Sequence, residues 1–286
     1  MVQMIYLNGR FMPLEQATIS VLDRGFIFGD GVYEVIPVYS RRLFRLDEHL
    51  RRLQHSLDGI GLQNPHRAPE WDKLLQELIA CNDGEDQYLY LHITRGVAKR
   101  DHAFPKHVTP TVFMMSSPLL PPPPALKSAG VSAITAHDNR WLRCDIKAIS
   151  LLPNVLLRQQ AVAADTMEAV LLRDGFMTEG SASNIFVVQN GTLLAPPKDH
   201  LMLPGITYDL ILELAAADHI PTQVGPVPEA AVRAADELWL TSSTREVLPI
   251  TVLDGKPVGN GQPGPLFKRM DALYQNHKAT VMRQAD

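Results

Sequence analysis

The hydrophobic positions change period several times along the chain, and each change marks an element. Residues 4–11 alternate apolar and polar around Asn8-Gly9, a pair that favours tight hairpin turns, and predict a hairpin. Residues 31–39 read as a strand. From Asp47 the spacing becomes helical, with Leu50, Leu53, Leu57 and Ile60 on one face and Gly59 and Gly61 marking the end. A second helix is predicted over 71–81, and strands over 88–94 and 111–116.

Residues 121–124 are four consecutive prolines, which cannot continue a helix or a central strand and favour an extended connector. They divide the chain into an N-terminal part, 1–120, and a C-terminal part, 125–286. The second part predicts strands over 131–136, 169–172, 185–188 and 237–240, with an Asn190-Gly191 turn. Helices are predicted at about 154–165, from Ile206 onward, and over 265–282. Strands and helices mix without strict alternation, so the expected class is α+β and not a doubly wound sheet.

Composition adds bounds. The chain has 286 residues, 45% hydrophobic and 20% charged, with formal net charge −4, which is an ordinary soluble globular composition and implies no nucleic-acid or acidic-membrane partner. Its two cysteines, Cys81 and Cys144, form neither a metal-ligand spacing nor a disulfide framework. No run approaches the length of a membrane span and residues 1–13 lack a signal-peptide core, so a cytoplasmic location is expected.

Candidate chemistry lies in a few segments. Lys147 follows Arg140-Trp141-Leu142-Arg143-Cys144-Asp145-Ile146, and Glu179 precedes the small-residue turn Gly180-Ser181-Ala182-Ser183-Asn184. A poorly solvated lysine amine can lose its proton and attack carbonyls, and a buried carboxylate can keep a pyridine nitrogen protonated. A pyridoxal 5'-phosphate (PLP) enzyme needs both. Taken singly, each also reads as an ordinary surface residue. Pro204-Gly205-Ile206-Thr207 leads into an amphipathic helix whose first amides can face a phosphate; a plain capped helix start is the commoner meaning of such a segment. Thr241-Ser242-Ser243-Thr244 ends a strand and offers hydroxyls, or is simply a polar loop. By periodicity Arg52 is a solvated arginine. Arg100 and His102, two apart in a loop after a strand, face the same way if that loop is extended and can grip a carboxylate; a generic basic loop is the alternative.

The segment Asp23-Arg24-Gly25-Phe26-Ile27-Phe28-Gly29-Asp30-Gly31-Val32-Tyr33-Glu34-Val35 resembles the signature of the fold-type IV PLP enzymes. Within that family the Arg-x-His pair and the run from Arg140 to Lys147 resemble most the bacterial D-amino acid aminotransferases. The resemblance extends from Asn8 through the C-terminal helix. It implies a two-domain α+β fold with the active site between domains, and a homodimer in which the Arg and His of one subunit reach the neighbour's site. It implies that Lys147 is the Schiff-base lysine and Glu179 the partner of the pyridine nitrogen. Arg52, Ile206, Thr207 and Ser243 match the phosphate site, with Ser183 and Ser242 grouped among the cofactor-binding residues. Tyr33, Arg100 and His102 match the trap for the substrate carboxylate, and Val35 an apolar side-chain contact. Pro153-Asn154, Ala182 and Pro204 depart from the family pattern without removing a needed chemical group. The implied activity is transamination between a D-amino acid of the D-alanine type and 2-oxoglutarate or pyruvate. A branched-chain L-aminotransferase, an aminodeoxychorismate lyase and an (R)-amine transaminase are rival enzymes, and a PLP-binding protein without turnover is the non-enzymatic rival.

Overall fold

The computed structural model describes residues 2–283. Contacts divide the chain into two units: one runs to Leu120 and includes Ile146–Leu151, and the other holds Pro121–Asp145 and the chain from Leu152. Lys147 therefore folds with the first unit, although in sequence it follows the proline run.

The first unit is built on an antiparallel sheet. Met4–Leu7 and Arg10–Pro13 form the expected hairpin, and Thr111–Pro118, Gln87–Thr94, Gly31–Tyr39 and Arg42–Leu43 follow in that order across the sheet. Helices Leu46–Gly59 and Ala68–Ala80 supply Leu50, Leu53, Leu57, Trp71, Leu75 and Leu78 to one core with Val32, Ile36, Leu89, Leu91 and Ile93. Period-two alternation turns the neighbouring residues Tyr33, Val35, Tyr90 and His92 to the sheet's other face, where they are only partly buried. The edge of the strand Gly31–Tyr39 is extended by the segment carrying Lys147. Tyr33 N–H donates to the Lys147 carbonyl (3.0 Å), Ile149 N–H donates to the Gly31 carbonyl (3.1 Å), and Val32 bridges Ala148.

One short helix, Arg24–Phe28, was not anticipated. Asp23 caps it by accepting from Gly25 N–H at 2.8 Å, and Gly29 closes it in the left-handed conformation (φ 65°).

The second unit holds a mixed sheet of ten strands, with helices Leu152–Ala163, Ile206–Ala217 and Pro265–Met282. The strand Asn184–Gln189 pairs antiparallel with Glu237–Ser242, which pairs in turn with Glu246–Leu253. Val187, Leu238, Leu240, Leu248 and Ile250 form the centre of its core. The prolines behave as an extended stretch only in part. Pro124 opens a helix, Pro124–Ala129, with Pro123 as its cap, because a proline in the first turn gives up no helical hydrogen bond. The strands Phe176–Gly180 and Glu246–Leu253 also went unanticipated. No described helix is long and apolar enough to cross a membrane.

Candidate active site

In the first unit the site grows from Lys147. Ile146 and Ala148 enter the core, so alternation turns the Lys147 side chain the other way. Its Nζ stands 4.0 Å from the centre of the Tyr33 ring, a cation–π arrangement that holds the amine over an apolar face. Its backbone N–H donates to Ser56 Oγ at 3.1 Å. Ser56 belongs to a polar row, His49, Arg52 and Ser56, on the buried side of the helix Leu46–Gly59. Arg52 is therefore not the solvated arginine that periodicity suggested. It is 7% exposed, because its guanidinium forms a two-pronged pair with Glu34: Nε reaches Oε1 at 2.8 Å and Nη2 reaches Oε2 at 2.7 Å. His49 Nδ1 joins Glu34 Oε2 at 2.8 Å. Burial alone would raise the Glu34 carboxyl, but the charge and hydrogen bonds of Arg52, with help from His49, hold it at about 2. Burial, aided by the charges of Arg52 and Lys147, keeps His49 below its ordinary value despite Glu34.

The open face beside Lys147 carries Tyr33 opposite His92 and Val35 opposite Tyr90. Tyr90 Oη and His92 Nδ1 share a hydrogen bond of 2.8 Å, and burial beside Tyr33 pushes the Tyr90 hydroxyl up to about 12. Arg100 and His102 lie in an exposed loop and flank a single ring: the Arg100 guanidinium carbon is 5.5 Å from the Phe28 centroid and the His102 ring 5.4 Å from it.

In the second unit the site grows from Glu179, which is 5% exposed. Asp138 takes the fork of Arg140, with Nε on Oδ1 and Nη2 on Oδ2, both at 2.9 Å. That leaves Arg140 Nη1 to donate to Glu179 Oε1. Asn184 Nδ2 donates to Glu179 Oε2 at 3.2 Å and to the Leu203 carbonyl at 2.9 Å. Burial pushes Glu179 up to about 7 against the pull of Arg140 and the Leu203 N–H.

Asn184 ties this carboxyl to the phosphate candidates. It sits opposite Thr241 in the sheet, and its Oδ1 lies where a Cβ on Gly205 would fall, 2.0 Å from it. Only glycine fits there. It opens the helix of Ile206 and Thr207 without a side-chain cap, so the first amides remain available to an anion. Thr241 Oγ1 is fully buried without a hydrogen-bond partner, one residue before Ser242 and Ser243, which are half-buried. Ser242 Oγ accepts from Arg245 N–H at 3.3 Å. The Ser183 hydroxyl donates to the buried Glu168 at 2.7 Å, which supports the turn after Glu179.

Sequence reasoning assigned no role to Glu34, His49, Asp138, Arg140, Asn184, Tyr90 or His92. For His49, Arg52 and Ser56 a signal existed: polar residues at helical spacing beside an apolar stripe.

The first unit offers a lysine amine over an aromatic face, and the second a buried carboxyl raised toward neutrality and an uncapped helix start beside hydroxyls; groups of these kinds are what a PLP-dependent transaminase uses. The chain belongs to the Amino-transferase class IV family, whose model matches residues 31–253. It is 42% identical over 272 residues to the D-alanine aminotransferase of Bacillus licheniformis, covering 95% of this chain and 96% of that protein. It is 37% identical over 274 residues to the D-alanine aminotransferase of Staphylococcus aureus (strain MSSA476), covering 96% and 97%. Among solved structures it resembles the T.th. branched-chain amino acid aminotransferase complexed with N-(5'-phosphopyridoxyl)-L-glutamate. That match has a TM-score of 0.89 and 26% identity, over 99% of this chain and 96% of the other. The branched-chain amino acid aminotransferase of Escherichia coli gives a TM-score of 0.88 and 25% identity, over 96% and 94%.

Membership in the family implies PLP as cofactor, with amino acids and 2-oxo acids as substrates. The residues present fit that group. The orphaned Thr241 hydroxyl and the uncapped helix start suit a phosphate, and Glu179 has an oxygen held only by long hydrogen bonds, with 3.2 Å to Asn184 and 3.3 Å to Leu203 N–H.

Proposed function

We propose that this chain transfers the amino group of a D-amino acid, D-alanine or one like it, to 2-oxoglutarate or pyruvate, working as a PLP-loaded homodimer. Lys147 bears the cofactor. Arg52, Ile206, Thr207, Ser242 and Ser243 hold its phosphate, and Glu179 its ring nitrogen. Bound PLP supplies an aldehyde that captures the amine and a ring that draws electrons away from Cα. Glu179 keeps a proton on the ring nitrogen by meeting it with negative charge. Lys147 Nζ, once free, accepts the Cα proton and later returns it, acting as base and then as acid. Tyr33, Arg100 and His102 hold the substrate carboxylate. With the carboxylate fixed on one side and the base on a set face, only one enantiomer points its Cα hydrogen at Lys147. Val35 meets the substrate side chain through apolar contact alone, which suits a broad substrate range.

The observation that carries the D-amino-acid reading is the Arg100/His102 pair set against one ring, in a chain 42% identical to a D-alanine aminotransferase. The similarity to branched-chain aminotransferase structures, at 25–28% identity with TM-scores of 0.87–0.90, supports a second reading, transamination of L-leucine-like substrates. Pyruvate formed from D-alanine and 2-oxoglutarate, with L-leucine as the competing donor, decides between them. The first reading expects D-alanine to be strongly preferred and Lys147→Ala to abolish turnover; a preference for L-leucine supports the second.

Exposed apolar side chains support the homodimer. Val21 is 70% and Phe26 69% exposed, and Leu22 and Val97 lie close by, where Ala98 N–H donates to the Leu22 carbonyl and Asp23 bridges Val97. Sedimentation should give twice the chain mass, and a charge at Phe26 should reduce it to one.

A further inference from the structure

The signature segment 23–35 has a task beyond supplying Tyr33 and Glu34. We propose that Arg24, held by Asp30, is the positioning residue that sets Arg100 and His102 in place to grip the substrate carboxylate. The inference rests on the carboxylate-binding role proposed above.

Residues 99–104 are mostly exposed and have no regular structure, a setting in which side chains normally wander. The neck of their loop is tight. Gly96 (φ 85°) packs so closely on the Thr109 carbonyl that a Cβ would fall 2.0 Å from its oxygen. The middle of the loop is caught by a buried guanidinium. Arg24 is 3% exposed, and its Nη1 donates to the Asp101 carbonyl at 2.6 Å and, more weakly, to that of Ala103 at 3.4 Å. Asp101 is the residue between Arg100 and His102.

The same guanidinium is aimed by Asp30, which accepts from Arg24 Nε at 2.8 Å. Asp30 is fixed in turn by Arg95, whose Nε donates to it at 2.8 Å and whose Nη2 donates to the Ile60 carbonyl at 2.6 Å, just past the helix Leu46–Gly59. Arg24 also lies over Phe28 (4.8 Å), the ring that Arg100 and His102 flank. Asp30, Arg24 and Phe28 thus connect the framework of the unit to the backbone and both side chains of the grip. A charged donor on a carbonyl is a strong restraint, and arginine's planar fork reaches the carboxylate and the carbonyl together in a fixed geometry that a lysine ammonium lacks.

The test uses PLP-loaded Arg24→Gln, Arg24→Lys and Arg100→Ala proteins, with D-alanine and with an amine lacking a carboxylate as donors. Arg24→Gln should raise the KM for D-alanine about 10- to 100-fold with little change in kcat, the scale of misplacing a binding group by about 1 Å. Reaction of the carboxylate-free amine should not change. Arg24→Gln should add little in the Arg100→Ala background, because both act through one contact. Arg24→Lys should lie between wild type and Arg24→Gln. It also carries the test should Arg24→Gln not fold, since it keeps a charge opposite Asp30 without the fork. If Arg100→Ala raises KM while the Arg24 variants leave it unchanged, or if they slow both donors equally, the positioning role is overturned and the grip survives. If Arg100→Ala leaves the D-alanine KM unchanged, the grip itself is wrong.

Discussion

Glu34 and Glu179 are both buried carboxyls facing an arginine, yet one is held at about 2 and the other rises to about 7. Burial raises both; the difference lies in how the arginine is shared. Arg52 gives its whole fork to Glu34, and His49 adds a further hydrogen bond. Arg140 gives its fork to Asp138, which it holds at about 2 against burial, and only its remaining prong to Glu179. Glu34 is thus a finished ion pair that fixes a helix and an arginine. Glu179 is an unfinished one, with affinity left for a further positive donor, such as the protonated pyridine nitrogen proposed above. A cofactor-binding carboxylate needs that incompleteness; a structural one is weakened by it.

Glu34→Gln should break the contrast on the side of stability. It leaves Arg52 buried beside a neutral amide, at a cost of about 3–5 kcal/mol in denaturant unfolding. Glu179→Gln should break it on the side of activity. Turnover should fall roughly 10²–10³-fold, the usual scale for losing one electrostatic stabiliser, while the protein without cofactor keeps or gains stability.

The pH dependence of the cofactor-free protein sharpens the comparison, because the two glutamates act with opposite sign. Glu34 lies below its ordinary value of 4.5, so its contribution is complete above about 4.5 and is lost as pH falls toward about 2. Glu179 lies above 4.5, so between about 4.5 and 7 the unfolded chain ionises before the folded one and stability falls as pH rises. Relative to Glu179→Gln, the wild-type cofactor-free protein should lose on the order of 3 kcal/mol over that interval, and bound PLP should abolish the loss. The smallest effect on turnover belongs to Asp138→Asn, which, like Glu34→Gln, also costs stability by leaving a buried arginine beside a neutral amide. It returns part of the Arg140 fork to Glu179 and should lower the Glu179 carboxyl, reducing turnover modestly and weakening the pH dependence of the cofactor-free protein.

Long periodic elements were legible in the sequence. The strand Gly31–Tyr39 and the helix Pro265–Met282 have the bounds that pattern gave them. What escaped was held by particular contacts. The helix Arg24–Phe28 is too short for periodicity and depends on the Asp23 cap and Gly29. The strand Glu246–Leu253 contains Pro249, which pattern reading treats as a breaker, although here it lies opposite Trp239. At the site, the residues proposed to touch substrate or cofactor were nominated from motifs and the family resemblance, but the side chains that surround and tune them were not. The Asp138–Arg140 pair reaches Glu179 across 39 residues of sequence, and Asn184 links Glu179 to the Leu203 carbonyl, 19 residues further on. Arg52 looked solvated because only the apolar stripe was counted on its helix, while the buried face also takes in His49 and Ser56.

The most direct test mixes the purified PLP-loaded protein in a stopped-flow spectrometer with D-alanine and, separately, with L-alanine, no acceptor being present. The D enantiomer should convert the cofactor absorbance in a single turnover and release one pyruvate per site, with L-alanine inert and Lys147→Ala silent to both. Conversion by L-alanine with D-alanine inert, or conversion that survives Lys147→Ala, would contradict the account.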